Sequence, residues 1–392
     1  MTHKLLGGVA AAIAIAFAAP GAIAQQTIKI GLIMTYSGQF ADPAAQMDNA
    51  IKLYVKQHGD IVAGKKIEFI RKDSVGAPDT AKRLAQELVV RDKVDLLAGF
   101  VLTPEALAAA DVSAEAKKFM VVMNAATAVI TTKSPYMVRT SLTIPQLQET
   151  FGAWARKSGI QRAYTMVSDY GPGHDAEQAF QLGFKGAGGE IVGSVRFPVA
   201  NPDFSPFVQR AKDANPGGIF VFIPGGTQPP ALGKSIAERG IDTAKTKILA
   251  QGELTDDQAL KAMGDAALGI VTVFHYDHNH NSAKNRAFVK AYNSEFGGRN
   301  PDLFSIGGYD GMHLIYEVLK KTKGNTDAQE MVAAARGMAW ESPRGPISID
   351  PATRDIVQTV YIRRVEKVGG QLRNVEFDKV EKVKDPFKAR MK

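Results

Sequence analysis

The chain of 392 residues contains no cysteine. That excludes disulfides, thiolate metal sites and a cysteine nucleophile. It also excludes lipid attachment at a cysteine behind an export signal. After Ala24 there is no second long apolar run, so the mature chain is expected to be soluble. Aromatics are nearly missing where they would matter for nucleic acid. The basic tail (Lys379, Lys382, Lys384, Lys388, Arg390, Lys392) holds one ring, Phe387, which is no stacking platform. The net charge of +8 comes from 48 Lys and Arg against 40 Asp and Glu that alternate along the chain, and it reads as solvated surface. Nucleotide and hydrolase fingerprints are missing too. The first strand is followed by Gly31 and Gly38 only, and no Walker A, G-x-S-x-G or H-E-x-x-H sequence occurs.

What is present begins with an export signal. His3 and Lys4 form a basic start, Leu5 to Ala19 an apolar stretch too short to span a bilayer, Pro20-Gly21 a break, and Ala22-Ile23-Ala24 an Ala-x-Ala cleavage site. Cleavage is expected after Ala24, which makes residues 1–24 a signal peptide and the remainder a free periplasmic protein. The length then suggests two domains.

From residue 28 onward apolar strands alternate with amphipathic helices. Ile28-Lys-Ile-Gly-Leu-Ile33 is a buried strand, broken by Tyr36-Ser37-Gly38-Gln39. Met47, Ile51, Tyr54 and Val55 share one face of a helix over 42–57. Strands at 66–72, 94–99 and 119–123 follow, with helices opening at Pro78 and Pro104-Glu105 between them. This βα alternation implies a parallel sheet with right-handed crossovers. A short strand at 136–140 and a crossing at 140–145 lead into a second series. Its strands are 162–167, 191–197, 218–223, 247–250 and 270–274, and its helices include 147–157 and 176–185. Long helices at 282–296, 305–321 and 327–336 come next, then antiparallel hairpins from Ile347 to Phe377. The expected fold is α/β, with two Rossmann-like lobes joined by three hinge crossings near Thr140-Ser141, Phe274-His275 and Pro346-Ile347. Lobe 1 would comprise 27–141 plus 274–346, and lobe 2 would comprise 142–273 plus 347–392.

Ligands of open α/β sheets sit beyond the carboxyl ends of the strands. The candidates there are Tyr36, Ser37, Phe100, Leu102, Thr103, Asn124, Ala125, Ala126, Thr127, Tyr170, Gly226, Glu253 and His275. Small residues and hydroxyls let backbone N–H groups approach an anion at a helix N-terminus, and the rings offer walls for an apolar body.

Several segments carry a resemblance, in order: Ile28–Ile33 with Tyr36-Ser37-Gly38, Pro78-Asp79-Thr80-Ala81, Val94–Gly99, Tyr170-Gly171-x-Gly173, Asp203-Phe204-Ser205, Ala266–Gly269 and Gly308-Tyr309-Asp310. Together they resemble a leucine/isoleucine/valine-binding type periplasmic protein. The resemblance implies a type I binding fold and an inner-membrane ABC permease as partner. It also implies ligand contact through Ser37, the 100–103 loop, the 124–127 loop, Tyr170, Gly226 and Glu253. One departure is chemical. Phe100-Val101-Leu102-Thr103 stands where amino-acid-binding members are serine-rich, so the site is more apolar. A carboxylate with an aromatic body is the favoured ligand, and a branched-chain or aromatic amino acid, its ammonium on Glu253 or Asp169, is the rival.

No cofactor, metal or catalytic residue is expected, and the chain is read as a monomer that binds without transforming. Two other readings are a ligand sensor for a signalling receptor and a hydrolase of small carboxylates. The sharpest catalytic-looking cluster, His275-Tyr276-Asp277-His278-Asn279-His280, reads as a polar loop after a strand.

Overall fold

The computed structural model describes residues 1–2 and 26–391. Apart from its first two residues, the segment read as a signal peptide lies outside them. The first half runs β1 (Thr27–Met34), α1 (Ala41–His58), β2 (Ile61–Val62), β3 (Lys65–Asp73), α2 (Pro78–Val90), β4 (Leu96–Gly99), α3 (Thr103–Glu115), β5 (Phe119–Val122) and β6 (Met137–Arg139). These strands form one sheet in the order β2-β3-β1-β4-β5-β6, parallel except for the β2–β3 hairpin. Both faces are covered, so β1 is apolar on both. Ile28, Ile30 and Leu32 pack in the α1 core, while Ile33 faces Leu84 and Leu88 of α2.

The second half runs α4 (Ile144–Lys157), β7 (Arg162–Ser168), α5 (Gly171–Gly186), β8 (Glu190–Phe197), α6 (Ser205–Asp213), β9 (Gly218–Phe222), α7 (Gln228–Glu238), β10 (Lys247–Gln251), α8 (Asp257–Met263) and β11 (Val271–Phe274). The chain then returns to the first sheet with α9 (Ala283–Glu295), α10 (Leu303–Lys321) and α11 (Ala328–Ala335). It ends with β12 (Ala339–Ser342), β13 (Gly345–Ile349), β14 (Ile356–Val368), β15 (Gln371–Val383) and α12 (Pro386–Arg390). The second sheet has the order β12-β13-β14-β11-β10-β9-β7-β8, with β15 added to β14. β7 to β11 are parallel and the rest antiparallel, as the hairpin-rich tail predicts.

Local chemistry sets the helix starts. Asp302 and Asp327 cap α10 and α11, and Ser282 caps α9. Two starts fall earlier than the sequence pattern suggests. α5 begins at Gly171, because Pro172 suits the first turn. α4 begins at Ile144, with Thr143 accepting from the Gln146 N–H, so the link after β6 is only 140–143. The strand β12 has no counterpart in the sequence reading; it pairs with β13, whose apolar pattern carries the signal. Pro346 and Ile347, expected at the third crossing, lie within β13.

In each sheet the strand order reverses about one strand. β1 has β3 on one side and β4 on the other, and β7 has β8 and β9. A crevice opens at such a reversal because successive crossovers leave to opposite faces.

Candidate ligand-binding cleft

The two reversal points face each other, and a cavity of about 50 Å³ lies between them. From the first lobe come Val101, Leu102 and Thr103 after β4, and Asn124, Ala125 and Ala126 after β5. Phe40, at the start of α1, and Phe304, in the first turn of α10, add rings, and Leu142 and Ile144 reach in from the first crossing. From the second lobe come Tyr170 and Pro172 after β7, Phe222, Pro224 and Gly225 after β9, and Gln251 and Glu253 after β10.

The walls are held by buried polar contacts. Thr103 Oγ1 lies 2.9 Å from Thr127 Oγ1, and Asn124 Nδ2 donates to the Val101 carbonyl at 2.7 Å. Glu105, at the third position of α3, pins the loop before it. Its Oε2 accepts from the Leu102 N–H and its Oε1 from the Thr35 hydroxyl at 2.7 Å, while burial pushes its carboxyl up. In the sequence Glu105 stands out only as part of the Pro104-Glu105 helix start. The first turns of α3 and α5 open on the cavity, and N–H groups there favour an anion, whereas the Phe304 and Ser305 N–H groups of α10 are taken by Asp302.

Among the described residues no Lys, Arg or His lines the cavity, and Glu253 is its one charged side chain. Gln251 Nε2 donates to Glu253 Oε1 at 2.7 Å, and Gln148 Nε2 in turn donates to Gln251 Oε1. Glu253 Oε2 is buried and has no protein partner. Burial pushes the Glu253 carboxyl up to about 7. The Tyr170 phenol is pushed up as well, by burial and then by the nearby Glu253 charge.

Seven of the thirteen candidate residues therefore line the cavity: Leu102, Thr103, Asn124, Ala125, Ala126, Tyr170 and Glu253. The other six do not. Phe100 has φ +68, which turns its ring to the opposite face of the sheet, among Leu97, Met120 and Met137. Tyr36 packs against the α1 core instead, where its phenol is pushed up by burial and by Asp48. Ser37 is exposed and makes no side-chain cap. Thr127 stands behind Thr103. His275 is fully buried beside Phe274, both ring nitrogens lack partners, and burial with Arg344 and Arg363 nearby pushes its pKa well down. The remaining histidines of that segment diverge. His280 meets Glu376 at 2.9 Å, and His278 faces Asp257 and Asp277.

Gly226 has a different role. A Cβ there would lie 2.3 Å from the Gln39 carbonyl oxygen, so the loop after β9 rests directly on the turn after β1. A Cβ on Gly225 would meet the Phe304 ring at 2.9 Å. Elsewhere between the lobes, Asn300 Nδ2 donates to Asp257 Oδ2 at 2.9 Å. These contacts join the lobes. Phe40, Leu142, Ile144, Phe222 and Phe304 escaped the sequence reading because apolar residues near helix starts look like core.

Comparison with known proteins agrees with this architecture. Residues 27–371 match the family described as periplasmic binding protein. The chain is 42% identical over 378 residues to Leu/Ile/Val-binding protein homolog 6 of Brucella melitensis biotype 1, covering 96% of this chain and 97% of that one. A solute binding protein of an ABC transporter from Rhodopseudomonas palustris BisB5, solved with 3,4-dihydroxybenzoic acid, is 54% identical with a TM-score of 0.89, over 92% of this chain and 99% of that one. Another from Rhodopseudomonas palustris HaA2, solved with p-hydroxybenzoic acid, is 41% identical with a TM-score of 0.89, over 93% and 100%. Two sheets joined by three links around one cleft, and a family match across nearly the whole chain, lead to one conclusion: this chain belongs to the periplasmic binding protein family.

Proposed function

We propose that the protein captures a small aromatic carboxylate in the interlobe cleft and delivers it to an inner-membrane ABC permease, binding its ligand without transforming it. The observation that carries this reading is the composition of the cavity: the rings of Phe40, Tyr170, Phe222 and Phe304 close on a space reached by the N-termini of α3 and α5. The rings match a flat apolar body, and the helix ends match an anion without a cationic side chain. The relatives solved with hydroxylated benzoic acids support the same class.

A cavity of about 50 Å³ is smaller than the roughly 150 Å³ that holds a benzene. Ligand entry therefore requires the lobes to part, and binding energy from the second lobe favours closure. The lobes are taken as 27–141 with 274–346 and 142–273 with 347–392, the last boundary falling inside β13. Export through residues 1–24 with cleavage after Ala24, release as an unlipidated periplasmic protein and action as a monomer complete the proposal. In the described residues no helix is long and apolar enough to cross a membrane.

The unpartnered Glu253 oxygen favours one rival, an α-amino acid whose ammonium would pair with it. A thermal-shift screen decides. Stabilisation by benzoate-type acids and not by leucine or phenylalanine is the expected result, because a ligand that binds only the folded state raises the melting temperature. The reverse pattern would exchange the two readings.

A further inference from the structure

The cavity is polar at two places of different character. Its first-lobe side offers the N-terminus of α3 and the Thr103 hydroxyl, which suit a carboxylate. Its second-lobe side offers Glu253, whose Oε1 is taken by Gln251 while Oε2 is buried and unpartnered. A ligand carboxylate is poorly placed beside an acid. A ligand hydroxyl fits there, because its O–H donates to the free oxygen.

We infer that the ligand carries a ring hydroxyl and that Glu253 Oε2 accepts its hydrogen, so Glu253 selects hydroxylated aromatic acids over unsubstituted ones. This rests on the aromatic-carboxylate reading above and adds the end-to-end orientation: carboxylate toward α3, hydroxyl toward β10. The relay from Gln148 through Gln251 holds the carboxyl group in place, so that one oxygen faces the cavity. A ligand without the hydroxyl closes the lobes over an unpaired buried oxygen, and a site built for a hydroxyl rejects the analogue lacking it. Burial, which pushes the Glu253 carboxyl up to about 7, reports the same unmet solvation.

Titration calorimetry with 4-hydroxybenzoate, 3-hydroxybenzoate, 4-methoxybenzoate and benzoate tests this on the mature protein. The wild type is expected to bind the better hydroxybenzoate at least about tenfold more tightly than benzoate, a difference of about 1.4 kcal/mol. The methoxy compound, which cannot donate, is expected to follow benzoate. In Glu253→Leu the preference should shrink to within about threefold, with benzoate binding as well as or better than before. No hydroxyl preference in the wild type, or the same preference in Glu253→Leu, overturns the assignment while leaving the aromatic-acid reading in place. The wild-type series stands if the variant fails to fold. If no benzoate derivative binds the wild type, the aromatic-acid reading falls, and the assignment with it.

Discussion

Arg139, at the end of β6, and Asp355, just before β14, form an ion pair of 2.8 Å with both side chains almost wholly buried. The pair ties the first link between the lobes to the turn between β13 and β14. Arg139 also donates to the carbonyls of Ala125 and Thr127, which brings the clamp to the loop that lines the cavity. Two further buried pairs lie nearby: Arg344, before β13, with Asp310 of α10, and Arg363 of β14 with Asp277, in the link after β11. Removing one partner leaves a buried charge uncompensated. Asp355→Ala should therefore lose about 3–5 kcal/mol of stability in urea unfolding. A loss below about 1 kcal/mol, the range of a surface pair, would show that the clamp is not needed.

The lobes meet where Gly226 lies on the Gln39 carbonyl. Gly226→Ala places a methyl group in that contact, and φ +85 strains the residue as well. The open form avoids the clash. Ligand binding should weaken about tenfold or more, about 1.4 kcal/mol. Small-angle scattering should show less compaction on ligand addition than in the wild type. Full compaction with unchanged affinity would remove this contact from the closing interface.

Thr103 sits at the start of α3 with its hydroxyl against Thr127. If that hydroxyl bonds the ligand carboxylate, Thr103→Val should weaken binding by about 1.5–3 kcal/mol. Thr127→Val, one layer back, should cost less. Equal affinity of Thr103→Val and wild type by calorimetry would place the carboxylate elsewhere in the cleft.

The Glu253 carboxyl is pushed up to about 7 by burial, against about 4.3 in an unfolded chain. Between those values the folded protein holds a proton that the unfolded chain has lost. The stability contribution is thus full below about pH 4 and is lost as the pH rises through about 7, about 4 kcal/mol in all. Glu253→Gln should gain on the wild type as the pH goes from 5 to 8, in urea titrations of the unliganded protein. A difference independent of pH would mean an ordinary carboxyl.

The particular residues show why some of this was readable in advance. Leu102, Thr103, Asn124 and Tyr170 were legible as cleft residues because parallel strands put their carboxyl ends on one side. Phe100 looked equivalent to Leu102, yet a positive φ sends its ring into the core. Phe304 stands just before the helix read over 305–321, and which lobe that helix end would face had no local signal.

The sequence alone determined the βα alternation, the antiparallel tail, the strand-end loops and the lack of any thiol. These are local properties, set by periodicity, caps and residue type. Only the tertiary structure decided which loops meet across the cleft, that Glu253 is the one charge in it, and that Arg139 finds Asp355 across 216 residues of chain. Such contacts depend on how two sheets pack, and neither partner's neighbours in sequence carry that information.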